Sequence, residues 1–96
     1  MDEKKLVEQK LQAQLDEWKA EIDKLKAKAD GASADAQLEF RRQVQDLELK
    51  LEDGGNRLSE LSKASGEAWG TLREGLESAW DSLSTAMAEA VSKFKT

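Results

Sequence analysis

Apolar residues recur at helical intervals along nearly the whole of this chain, and with no proline among its 96 residues nothing in the covalent backbone forces a break. Leu11, Leu15, Trp18, Ile22, Leu25 and Ala29 step by 4 and 3, the seam of a left-handed coiled coil. Ala32, Ala36, Phe40, Val44 and Leu47 then advance mainly by four, so the helix relaxes locally out of heptad register. Beyond this point the dominant spacing is eleven. Leu25, Ala36, Leu47, Leu58, Trp69, Trp80 and Val91 form one series, and Leu61, Leu72, Leu83 and Phe94 a second. Eleven residues over three turns is about 3.67 per turn, a stripe that runs nearly straight.

The expected fold class is therefore all-α, an elongated, self-associating coiled coil of one or two long helices, with a helical hairpin as one form. Glycine marks the candidate breaks. In a helix interior, the adjacent glycines of Asp53-Gly54-Gly55-Asn56 cost about 2 kcal/mol, and they readily supply a left-handed residue, so this tetrapeptide is the favoured turn. Residues 64–66 are the alternative break. The apolar stripe nevertheless keeps its phase across Gly54 and Gly55, which leaves an uninterrupted helix open as well. The expected organisation is a charge-rich heptad helix over 1–52, a turn at 53–56, and an amphipathic helix with 11-residue repeats over 57–96.

Composition narrows the function classes. Charged residues make up 36% and the net charge is -5, which argues against a nucleic-acid partner, since phosphate neutralisation needs a basic surface. Cysteine and histidine are absent, which removes disulfides, the commonest metal ligand and the commonest general base. The carboxylate pairs Glu74/Glu77 and Glu48/Glu52 lack the Glu-x-x-His partners of a helical two-metal site and read as solvated faces. Ser78, Ser82 and Ser84 sit among small helical residues with no base beside them. No catalytic, cofactor-binding or metal-binding residue is expected, and no small-molecule substrate. Met1-Asp2-Glu3-Lys4-Lys5 leads into no apolar signal segment and no 18-residue apolar run occurs, so a cytoplasmic location is expected.

Leu11-Gln-Ala-Gln-Leu-Asp-Glu-Trp18 and Ile22-Asp-Lys-Leu25, with Ala34-Asp-Ala36, Leu58-Ser-Glu-Leu61, Gly66-Glu-Ala-Trp69 and Ala79-Trp-Asp-Ser-Leu83, span most of the chain. Together they resemble a family of small bacterial coiled-coil-domain proteins. The resemblance implies an elongated, all-helical, self-associating protein linked in some bacteria to stress responses, and it implies no catalytic residues. The chain departs from that pattern at Asp53-Gly54-Gly55-Asn56, where the family would carry charged, Ala-rich helix.

Two packing surfaces follow. Leu11, Leu15, Trp18, Ile22, Leu25, Phe40, Val44, Leu47, Leu51, Leu58 and Leu61 are expected to form a seam between copies of the chain, as a dimer or trimer. Trp69, Leu72, Leu76, Trp80, Leu83, Met87, Val91 and Phe94 form the second face, which has two readings. It packs within the oligomer, or residues 65–94 lie on a membrane surface with Trp69 and Trp80 at the interface. The polar side of that segment is built of Ser65, Gly70, Thr71, Ser78, Ser82, Ser84 and Thr85, as in helices that sense lipid packing.

Overall fold

The computed structural model describes residues 3–94, which form three α-helices: α1 (Glu3–Asp30), α2 (Ala34–Lys63) and α3 (Gly66–Phe94). At 1.5 Å per residue each helix is about 42–45 Å long, close to the full 50 Å length of the molecule. The helices therefore run side by side, and the short links at 31–33 and 64–65 make consecutive helices antiparallel. The all-α class holds, but the expected one or two long helices are three.

The favoured turn at 53–56 is corrected. α2 passes through Asp53-Gly54-Gly55-Asn56 without interruption, and no glycine among the described residues has positive φ. Gly54 is buried where α2 meets its neighbours: a Cβ there would lie 3.3 Å from Trp80 Cζ3 and 3.6 Å from both Leu15 Cδ2 and Leu83 Cδ2. The glycine thus admits a ring to the helix backbone, and that close approach offsets its poor helix propensity.

The chain turns instead at Gly31-Ala32-Ser33, inside the segment expected to be one helix over 1–52, and again at Ala64-Ser65, within the alternative break. At the first turn, Gly31 N–H donates to Lys28 O (3.2 Å) and Ala32 N–H to Ala29 O (3.1 Å), tightening the end of α1. Gln37 Nε2 then reaches back to donate to Asp30 O (2.9 Å) and Ala32 O (3.1 Å), satisfying carbonyls that a helix end leaves open. Ser33 is extended, with φ −64° and ψ 159°, and α2 starts after it. At the second turn Ala64 is extended, with φ −75° and ψ 147°, while its N–H bonds Leu61 O at 3.1 Å.

The core follows the apolar stripe. α1 contributes Leu15, Ile22, Leu25 and Ala29; α2 contributes Val44, Leu47, Leu58 and Leu61; α3 contributes Trp69, Leu76, Trp80, Leu83, Met87, Ala90 and Phe94. Leu25, Leu61, Leu76 and Leu83 are almost completely enclosed, and among the described residues no polar or charged side chain is buried with them. Burying one such leucine contributes about 1.5–3 kcal/mol. The thin stripe on each helix is enough because three of them face a common axis.

Candidate interaction surface

The seam expected between copies is closed within one chain. Leu15, Ile22, Leu25, Val44, Leu47, Leu58 and Leu61 are buried, and Leu11, Trp18, Phe40 and Leu51 pack partly buried against them. Trp69, Leu76, Trp80, Leu83, Met87 and Phe94 of the second face join the same cluster, with Val91 half-buried and Leu72 at the exposed margin. The two surfaces expected to be separate are one core. The correction has a simple cause. A heptad stripe states that a helix needs an apolar neighbour, and two tight turns bring that neighbour from the same chain.

Aromatic side chains close the gap between α1 and α3, whose backbones approach at only a few points. Trp18 and Trp80 stack at a tilt, with ring centroids 5.6 Å apart, and Trp80 Nε1–H donates to Gln14 Oε1 at 2.6 Å. Gln14 lies one helical turn from Trp18 on the same face, and this spacing is the only sequence signal for its role. Near the other end, Phe40 of α2 meets Phe94 of α3 at 4.2 Å between centroids. Trp69, in the first turn of α3, lies beneath Lys4 Nζ at 5.8 Å and Arg73 Cζ at 5.5 Å, two cation–π contacts worth about 0.5–1 kcal/mol each. Its indole N–H is buried and finds no acceptor.

The outer surface is polar and charged. Lys26–Glu48 (3.3 Å) crosses from α1 to α2 and Arg41–Asp30 (3.5 Å) spans the first turn, both between exposed side chains. Arg57–Asp53 (2.8 Å) and Arg73–Glu77 (2.9 Å) are pairs one turn apart within a helix. The Asp53 hydrogen bond and charge hold the Arg57 guanidinium above its ordinary pKa. Leu6, Leu38 and Leu49 stand exposed, but Leu38 and Leu49 are eleven residues, about 16 Å, apart along α2 and form no continuous patch. An open groove between α1 and α2 runs over Leu15, Ile22 and Leu51 with a charged rim of Asp16, Lys19, Lys26 and Glu48. Among the described residues no group of three or more His, Cys, Asp or Glu is placed to hold a metal ion, and no helix is long and apolar enough to cross a membrane.

The distinctive property of this arrangement is that all three packed faces are cut from one apolar stripe. Comparison with protein-family models, curated proteins and solved structures finds no match for this chain.

Proposed function

We propose that this chain is a non-enzymatic structural or interaction protein of the cytoplasm that assembles with further copies of itself through its helical faces. One observation carries the reading: Leu25, Ala36, Leu47, Leu58, Trp69, Trp80 and Val91 keep their eleven-residue interval through both turns, although a turn needs no such phase. A helix face that suits its own neighbours in this periodic way suits the equivalent face of another copy, and because these residues are buried or half-buried within one chain, a second copy reaches them by taking the place of one of its helices. The resemblance to small bacterial coiled-coil proteins supports a stress-associated role for such an assembly. Sedimentation from low micromolar to near-millimolar concentration tests it: the mean mass is expected to rise above that of one chain, and a mass that stays at one chain throughout overturns it.

A second reading is favoured by the composition of α3. Its outward side carries Gly70, Thr71, Ser78, Ser82, Ser84 and Thr85 among acidic residues such as Glu74, Glu77 and Asp81, and its inward side carries Trp69 and Trp80. This pattern suits a membrane surface with packing defects rather than an anionic one. Those tryptophans are buried in the bundle, so binding requires α3 to swing away. A shift in tryptophan emission on mixing with defect-rich vesicles supports this reading, and unchanged emission at high lipid rejects it.

A further inference from the structure

We propose that Gly31-Ala32-Ser33 is a hinge, and that two copies associate by straightening it and exchanging α1. The inference rests on the self-association proposed above and specifies its mechanism.

Three observations carry it. First, no backbone conformation in the turn is foreign to a helix by its residue type: it has no proline, Gly31 is not left-handed, and Ser33 already has a helical φ of −64°, so rotation of its ψ from 159° is the main change Ser33 needs to become helical. Second, Ile22, Leu25, Ala29, Ala32, Ala36 and Phe40 advance by 3, 4, 3, 4 and 4, so a straightened hinge leaves one unbroken apolar stripe on a helix from Glu3 to Lys63, about 90 Å long.

Third, the contacts between α1 and α2 share one centre. Leu15 lies against Gly54, Lys26 pairs with Glu48 and Asp30 pairs with Arg41, and each pair is centred in sequence between residues 34 and 37. Two straightened chains laid antiparallel about that centre therefore place α1 of each copy on α2 of the other with the contacts it makes in the single chain. Each α3 stays on its own α2. The core is rebuilt twice, and only the turn is lost.

The clasp that opposes opening is also visible. Gln37 Nε2 holds Asp30 O and Ala32 O, bonds that a continuous helix replaces with its own ladder.

Opposing variants test the hinge. Ala34 is the exposed first residue of α2 and follows an extended Ser33, so Ala34→Pro suits the turn but breaks a continuous helix. Gly31→Ala meets only Lys28 O at 3.7 Å and Ala27 O at 4.0 Å, so it fits the turn and favours the straight helix; Gln37→Glu removes the clasp. The double variant G31A/Q37E is expected to dimerise at an at least about tenfold lower concentration than the parent, and A34P to remain a single chain with unchanged helicity.

The chain has no cysteine, so Gln9→Cys with Ser59→Cys, which line one groove between α1 and α2, adds a unique pair of thiols. A short bis-maleimide applied to the dimer fraction is expected to yield covalent dimers. Association with crosslinks only within one chain overturns the hinge and leaves self-association standing. Absence of association in the parent and in G31A/Q37E overturns both. The crosslink decides the matter even where A34P does not fold.

Discussion

Gly54 and Gly55 are adjacent and chemically identical, yet they are expected to respond unequally to the same substitution. Both lie within α2, where replacing glycine by alanine recovers about 1 kcal/mol of helix propensity. A Cβ on Gly55 meets nothing within 4 Å, so Gly55→Ala should raise stability by nearly that amount, or about 4–8 °C in Tm for a domain of this size. A Cβ on Gly54 would sit 3.3 Å from Trp80 Cζ3, and the ring would have to yield by a few tenths of an ångström. Gly54→Ala should therefore lose most or all of the propensity gain. Gly54→Val adds two further methyl groups against Trp80, Leu15 and Leu83, and overpacking of this kind costs about 1–3 kcal/mol. Urea unfolding followed by circular dichroism measures all three, with tryptophan emission reporting whether Trp80 moves. Had the pair formed a left-handed turn, alanine at either position would be strained and at least one of the two would destabilise strongly. Destabilisation by Gly55→Ala of 1 kcal/mol or more, on the order of its expected gain, would refute the account of α2 as a continuous helix.

Other substitutions test the core and its rim. Leu61→Ala, at an enclosed position, should destabilise by about 2–5 kcal/mol in urea unfolding, enough to unfold a marginal bundle. Trp80→Phe removes the donor to Gln14 and should cost more than Trp69→Phe, whose indole N–H has no acceptor to lose; the gap should be about 1 kcal/mol, and equal losses would reject the distinction. Lys26→Ala breaks an exposed pair and should change stability by less than about 1 kcal/mol, with the difference disappearing in high salt.

The helical stripe was legible in the sequence because burial demands the right period wherever the apolar neighbour comes from. Leu15, Ile22 and Leu25, and likewise Trp69, Leu76 and Trp80, could be assigned to a packed face from spacing alone. The identity of the neighbour was not legible. The same 4 and 3 steps serve a seam between chains and a core within one. Turn positions were misleading for a local reason. Gly54-Gly55 carries turn chemistry but serves close packing, whereas the turn at 31–33 is made by ordinary φ values and a side chain, Gln37, four residues beyond it. Ala29, Ala32 and Ala36 keep helical spacing through that turn, so its trace in the periodicity was a change of register beyond Ala32, which a continuous helix accommodates equally well. Gln14 and Gln37 act through the fold rather than through any motif, and only the packed helices reveal their partners.

The central claim is that one chain folds back twice and encloses its own stripe, and small-angle X-ray scattering from a dilute solution tests it most directly. The closed bundle has a radius of gyration of 15.5 Å over its Cα atoms. A two-helix hairpin of the same chain would give about 21 Å and a single unbroken helix about 40 Å, from the rise of 1.5 Å per residue. A value near that of the bundle, at the mass of one chain, is the predicted result; either larger value at that mass would contradict it.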